Sequence, residues 1–355
     1  MADTTKQTAA YWSQQSTTER MAGAYWLDLP ATQKRFSAKI SGDPAVDGVL
    51  YTVQRHLAGR LPLSRCLSLG CGEGRLERRM AQLGVFEQCD AIDIADGSIA
   101  VAHMAAQAAG YAHIRYKVAD ANTLKLPADA YDAVWGTGAI HHIEQLEYLF
   151  GQVANSLKPG GIFVLDEYVG ASRFQFPPRQ REIIQACHAL LPERYRILST
   201  AVSHNRATFG RDGWRWWLRR LGDKVRDGDL YGAVQRHTRR LWNGRRGRTT
   251  IRRGVDLPTA QSVAAIDPSE AIRSAEIVPV LGCYFDIIEY RPMGGSILQF
   301  LLADIAGNFR DEEGQRLLEM LFVIEDTLMA TGELESDFAY IVARPKAQGE
   351  YKVLA

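Results

Sequence analysis

Residues 67–78 read LSLGCGEGRLER, and their three alternate glycines, Gly70, Gly72 and Gly74, restrict the fold more than any other feature of the chain. An apolar run from Arg65 to Leu69 stops at them, and a charged stretch of helical composition follows at once. Glycines spaced this way between a strand and a helix mean a backbone that turns sharply and passes close to something. A P-loop would need Gly-Lys-Ser/Thr to hold phosphate and magnesium, and none follows. A dinucleotide site needs a third glycine where this chain has Arg75, because helix and strand must close over a pyrophosphate there. That missing glycine argues against a nicotinamide-dependent oxidoreductase. The Gly-x-Gly-x-Gly turn suits a flatter, less anionic ligand, such as a nucleoside carrying an amino-acid tail.

From about residue 64 to 170, short apolar runs alternate with helix-like stretches. RCLSLG precedes GRLERRMAQLG, and CDAIDI precedes a helix expected from about Asp96 to Gly110. IRYKVAD, YDAVWG and GIFVLDEYV continue the series, with a helix near 144–157 that stops at Lys158-Pro159-Gly160-Gly161. The pattern predicts βαβ units and a mostly parallel sheet covered on both faces, an α/β fold. YFDIIEYR (284–291) and DFAYIVARP (337–345) are expected to add two strands to it. Before them, DPSEAIRSAEIVPVLG predicts a helix with Asp267 as N-cap, Pro268 at N1 and Glu270 at N3.

Four units follow. Residues 1–60 form a helical N-terminal segment, with Asp43-Pro44 as a helix start. Residues 61–170 form the α/β core, and 171–265 a helical insert rich in Arg and Trp. Residues 266–355 complete the sheet around two apolar-striped helices at 294–333, which suit either a lid or an oligomer surface.

The chain of 355 residues has no stretch approaching the ~18–20 apolar residues of a membrane span. Its polar N-terminus shows no apolar signal segment. Five cysteines at scattered positions read as reduced thiols of a cytoplasmic protein, not as a disulfide frame or a metal site.

Charge is uneven. Residues 206–253 hold fifteen Lys/Arg against four Asp, net +11, in a chain whose total is +1. Four of the seven tryptophans lie there: Trp214, Trp216, Trp217 and Trp242. Such a segment fits a helical cap with solvated arginines, peripheral contact with an anionic inner-membrane surface, or contact with an acidic substrate.

Three further signals accompany the glycines. Asp93 ends the second predicted strand, 19 residues after Gly74, where an acid can accept ribose hydroxyls. Asp120 follows the third strand, with Asn122 beside it, an adenine-edge acceptor or an Asx turn. YDAVWGTGAIHHI carries a fourth strand into a loop with two adjacent histidines.

Together these signals resemble the class I S-adenosylmethionine-dependent methyltransferases, over roughly residues 60–170 and the two late strands. The flanks, including DPSEAIRS and RPMGGSILQFLLADIAGNF, resemble bacterial members linked to polysaccharide or secondary-metabolite biosynthesis. The resemblance implies a Rossmann-like seven-stranded sheet and S-adenosyl-L-methionine as cofactor, with S-adenosyl-L-homocysteine as product. It implies that Gly70, Cys71, Gly72 and Gly74 wrap the methionine end, and that Asp93 with Ile94 holds the ribose. Asp120, Ala121 and Asn122 would then face the adenine, and Trp135, Gly136 and Thr137 would lie where the methyl group leaves. One departure stands out. Many members carry an acid two residues before the first glycine, and this chain has Ser68.

The methyl acceptor is expected to be a small molecule or glycan, methylated most readily at oxygen. No Asn/Asp-Pro-Pro-Tyr/Phe motif marks nucleic-acid base methylation. A hydroxyl needs a base, and His141 is the first candidate as base or orienter, with His142 beside it. Glu167 and Tyr168 end the fifth strand at the same edge and could bind or deprotonate the acceptor. Arg173 could hold an anionic acceptor, and Tyr11, Trp12, Tyr25 and Trp26 could form a lid. No metal site is expected. The alternative is a scaffold that binds cofactor weakly, or not at all, and docks on a membrane or partner through the basic insert.

Overall fold

The computed structural model describes residues 2–16, 25–198 and 250–347. Most of the Arg/Trp-rich segment, with its four tryptophans, lies outside the described residues.

Seven strands form one sheet in the order β3-β2-β1-β4-β5-β7-β6. They are β1 Leu63–Leu69, β2 Phe86–Asp93, β3 Ile114–Val118, β4 Tyr131–Thr137, β5 Leu157–Tyr168, β6 Phe285–Gly294 and β7 Phe338–Pro345. The first five are parallel; β7 runs antiparallel to β5 and β6. Strand order reverses between β1 and β4, so their carboxyl ends open a crevice, the place where open α/β sheets bind ligands.

Alternation along each strand builds two cores. Cys66 points into the layer that holds Met80 and Cys89, while its neighbours Leu67 and Leu69 point into the layer that holds Leu149 and Phe163. All five cysteines are free and buried.

Among the described residues, three α-helices precede the sheet: α1 Ala2–Ser16, α2 Pro30–Ser41 and α3 Gly48–His56. Asp43-Pro44 does not start a helix. The N-cap is Asp47, whose carboxylate accepts the Leu50 N–H at 2.8 Å, and Asp43 is spent on the turn before it. Within the core lie α4 Arg75–Gln82, α5 Asp96–Ala108, α6 Leu146–Ser156 and then α7 Pro178–Leu190. Trp26 is buried against Phe36 and Phe338, so it belongs to the packing and not to a lid. Tyr25 stands exposed beside it.

Two predicted helices break. DPSEAIRS forms no helix: Asp267 ends the helix Ala260–Ile266, Ala271 takes a left-handed φ of +48°, and the helix begins at Ile277. Side chains and carbonyls of 267–270 are drawn into contacts with other elements, which outweighs the helix-start signal. SILQFLLADIAGNF keeps one helical turn, Leu298–Leu301, and then winds irregularly through Asp304 at φ +66°. Its apolar residues Leu298, Leu301, Leu302, Ile305, Ala306 and Phe309 are all buried. The Arg252 guanidinium donates to the carbonyls of Phe300, Leu301 and Ala303, which replaces the lost helical ladder. That residue of the basic segment therefore serves the fold.

Candidate active site

The glycine turn joins β1 to α4. Gly70, Gly72 and Gly74 take φ of +63°, +51° and +75°. A side chain at Gly70 would collide with the Ala139 methyl, and one at Gly74 with the Tyr116 hydroxyl. These two glycines let neighbouring elements close. Gly72 differs: a Cβ there would meet nothing within 4 Å, so this part of the turn faces open space.

Asp93, at the end of β2, fastens the turn. One carboxylate oxygen accepts the Gly72 N–H and the other the Ala95 N–H, each at 2.8 Å. Each oxygen keeps a second lone pair for a hydroxyl. Burial raises the Asp93 pKa above its ordinary value, while the N–H groups of Ala95, Gly72 and Ile94 pull against that shift. Asp96 sits at the first position of α5, not at its N-cap, and accepts the Ser13 hydroxyl of α1 at 2.6 Å. At the end of β3, one Asp120 oxygen accepts both the backbone and the side-chain N–H of Asn122 at 2.9 Å. Asn122 Oδ1 in turn accepts the N–H groups of Glu144 and Gln145. Asn122 thus splints two loops and has its amide fully engaged, which departs from the expectation that it faces a base. Ala121 packs beneath this loop against the second core.

This donor set fits a ligand with ribose hydroxyls, an exocyclic amine and an amino-acid tail. Carboxylates close the ends of β2 and β3, and the open glycine lies between them and the β1–β4 crevice. S-Adenosylmethionine has those groups and no phosphate.

Beyond β4, Gly136 is hemmed by Ile140 and Leu165, and the exposed Thr137 leads into a 3₁₀ turn, Ile140–His142. Trp135 is buried in the sheet, with its Nε1 lacking an acceptor among the described residues. The turn puts both histidines at the crevice. Glu167, at the end of β5 and 1% exposed, holds it: one oxygen accepts the Ala139 and Ile140 N–H groups, each at 2.5 Å. Its other oxygen lies 2.7 Å from His141 Nδ1. That oxygen also accepts the Tyr168 N–H at 3.2 Å, and because a carboxylate oxygen only accepts, His141 carries its proton on Nδ1 and leaves Nε2 as an acceptor. Glu167 therefore orients His141 and does not itself meet the acceptor.

His141 Nε2 faces Glu270 Oε1 at 3.7 Å. His142 stacks at 4.2 Å between ring centres, with its Nδ1 3.0 Å from the Ser269 hydroxyl. Ser269 leans on Asp267, which also accepts the Trp12 indole N–H at 2.8 Å and the Thr8 hydroxyl. Trp12 packs edge-on to His142 at 5.2 Å, and Tyr11 packs on Trp12. Helix α1 thus covers this end of the crevice. Burial opposes charging of His141, yet Glu167, then Glu270 and Asp267, outweigh it and raise its pKa above the ordinary imidazole value. Burial, His141 and Arg173 hold His142 well below that value, so His142 stays neutral.

Two expectations are corrected here. Tyr168 is buried among Phe174 and Phe338, and its hydroxyl donates to the Ala171 carbonyl at 3.0 Å, so it does not face an acceptor. Arg173 donates to the carbonyls of Glu270 and Pro268 at 3.0 and 2.5 Å, which occupies the guanidinium in shaping the 267–270 turn instead of binding an anion.

Asp267, Ser269, Glu270 and Glu77 escaped the sequence reading as site residues. The first three read as a helix start, and nothing in their spacing announces that Ile272 N–H reaches the His141 carbonyl. Glu77 had a signal: it shares a helix face with Met80, three residues on, and is an acid where the pattern asks for an apolar residue.

Residues 67–165 match a family model described as a methyltransferase domain. The chain is similar to 27-O-demethylrifamycin SV methyltransferase of Amycolatopsis mediterranei (strain S699), 28% identical over 42% of this chain and 52% of that relative. It therefore spans about half the length of that relative. It is 30% identical to aklanonic acid methyltransferase DauC of Streptomyces sp. (strain C5), over 50% of this chain and 78% of the relative. Among solved structures it is similar to an S-adenosylmethionine dependent methyltransferase from Mesorhizobium loti, 15% identical with a TM-score of 0.40, covering 84% of this chain and 98% of that one.

Proposed function

The chain belongs to the class I S-adenosylmethionine-dependent methyltransferases, and from that premise we propose that it methylates a hydroxyl of a small molecule or glycan, with His141 as base. The observation that carries this reading is the Glu167–His141 pair at 2.7 Å, opening onto the β1–β4 crevice. The relative named for 27-O-demethylrifamycin SV supports oxygen as the acceptor atom.

Gly70, Cys71, Gly72 and Gly74 would hold the cofactor's amino-acid end, Asp93 with Ile94 its ribose, and Asp120 with Ala121 its adenine. Bound there, S-adenosylmethionine supplies an electrophilic methyl group on a sulfonium. An acceptor hydroxyl is a weak nucleophile at neutral pH, and His141 Nε2 takes the proton it sheds. Glu167 fixes the tautomer that leaves Nε2 free and steadies the imidazolium that forms. Glu270, 3.7 Å from Nε2, adds a second negative charge on the far side. Helix α1, pinned by Trp12 and Ser13, keeps water from that end of the crevice. Aligning the two reactants contributes on the order of 7–11 kcal/mol, more than the base alone.

The test is turnover of labelled cofactor against a panel of phenols, polyketides and sugars. His141→Asn should lower kcat by about 10²–10⁴ while S-adenosylhomocysteine binds as before. The rate should rise with pH through a value above the ordinary imidazole pKa, and Glu167→Gln should move that inflection down. Unchanged kcat in His141→Asn would remove the base, and cofactor binding without turnover on any acceptor would favour the scaffold reading.

A second reading rests on His141, His142 and Glu270, whose ligand atoms all lie within 4.8 Å of one another. A divalent cation there would polarise the hydroxyl and make His141 a ligand. Turnover abolished by chelation and restored by added metal would select it; turnover indifferent to chelation selects the base.

A further inference from the structure

Glu77 lies on the first turn of α4, three residues after the last glycine of the turn. It is fully buried, and neither carboxylate oxygen accepts a hydrogen bond of good geometry from the described residues; the Ser68 hydroxyl and its own backbone N–H offset the burial of its charge only in part. It is not remote from the crevice. The Ser68 hydroxyl stands beside it, and its charge is felt at Cys71 in the glycine turn, at Asp93 and at Tyr116. A carboxylate kept from water this way is held at high cost unless a proton or a cation compensates it. Among the described residues no cation forms an ion pair with it: Arg78 lowers its pKa only in part and donates to the Glu73 carbonyl at 2.6 Å. The cofactor supplies one. Its amino-acid end carries an ammonium, and the open face of the turn at Gly72 is where that end belongs.

We propose that Glu77 is the counter-charge for the cofactor's ammonium, acting through the turn at Cys71–Gly72 and replacing the acid absent at Ser68. It rests on the cofactor reading, not on the base or the acceptor. Little water separates Glu77 from the turn, so the field at the turn is screened far less than at the surface. Ser68 and Glu77 sit side by side, so an acid at either position places its charge in the same volume. Glu77 is a positioning residue, and its effect must show on ligands that carry the ammonium and vanish on those that lack it.

Calorimetry with two probes tests this: S-adenosylhomocysteine, and 5′-methylthioadenosine, which has the same nucleoside and no ammonium. Glu77→Gln at pH 8 should weaken S-adenosylhomocysteine by about tenfold or more and leave 5′-methylthioadenosine within about twofold. Ser68→Asp combined with Glu77→Gln should recover most of the loss. Equal weakening of both probes, or no weakening of either, would overturn the proposal and make Glu77 a packing residue. If Glu77→Gln does not fold, proton linkage in wild type decides. Capture of a cation favours the charged carboxylate, so S-adenosylhomocysteine should release a proton near pH 6–7 and 5′-methylthioadenosine should not. Equal release with both probes overturns the proposal. Wild type that binds neither probe overturns it together with the cofactor reading, whereas failure of His141→Asn to lose activity touches only the base.

Discussion

Two fully buried glutamates lie past the carboxyl ends of two strands, Glu77 after the interior strand β1 and Glu325 by the edge strand β6, and the structure treats them in opposite ways. Glu325 lies on the helix Glu312–Ala330, beneath the turn that ends β6. One of its oxygens accepts the Arg35 guanidinium at 2.6 Å and the Gly295 N–H, and the other accepts the Ile297 N–H at 2.7 Å. Arg35 is itself buried and also reaches Asp326. Gly294 and Gly295, both near φ +90°, leave no room for a side chain between this pair and Phe338. Glu77 has no such partners, and burial pushes its pKa up to about 7. The first carboxylate is answered by the chain itself and locks the helical cap to the sheet. The second lies beside the glycine turn, where a ligand can answer it. A buried charge that the fold leaves unpaired therefore marks a site, while one that it pairs marks a joint.

The largest expected effect breaks the joint. Arg35→Met strands Glu325 as an unpaired buried charge and should cost about 3–5 kcal/mol, read from urea unfolding at pH 8. A loss below about 1 kcal/mol would mean that Glu325 simply takes a proton and that the two glutamates do not differ.

The next concerns Glu77. Its folded pKa of about 7 lies above the ordinary 4.5, so its contribution to stability is complete below 4.5 and is lost as pH rises through 7. The whole swing is roughly 3 kcal/mol. Asp166 and Asp337, both raised to about 7 by burial, swing the same way. Glu77→Gln should therefore lose less stability than wild type between pH 5 and 8, with a part of the slope left to the two aspartates. Equal slopes in the two proteins would show that Glu77 finds a partner after all.

The smallest effect is at the rim of the joint. Asp326 is 39% exposed and shared between Arg35 and Lys39. Asp326→Asn should cost less than about 1 kcal/mol, which confines the joint to the buried pair.

Much of the sheet could be read in the chain because its signals are local. Most strands are short runs rich in apolar residues beside a helix-like stretch, and the alternate glycines appear as a turn because no other residue makes one so cheaply. Asp93 was legible for the same reason, being an acid at the end of a strand. The active-site turn was not. His141 could be picked out as the residue after β4, but its partner Glu167 lies 26 positions on, and its distinction from Tyr168 depends on which face of β5 each side chain takes. DPSEAIRS carries every local mark of a helix start and forms none, because Arg173 and Trp12 draw its carbonyls and its aspartate elsewhere.

By itself the sequence determined a mostly parallel α/β sheet, a glycine turn between its first strand and the helix that follows, and an edge where two histidines emerge. Those follow from periodicity of two and of 3.6, and from backbone angles that only a few residues allow. Tertiary structure alone decided which charges are answered. It paired Glu167 with His141 and Arg35 with Glu325, spent Arg173 and Tyr168 on carbonyls, and left Glu77 without an ion-pair partner among the described residues. Burial and partnership are properties of residues brought together from distant positions, and no window along the chain contains both members of such a pair.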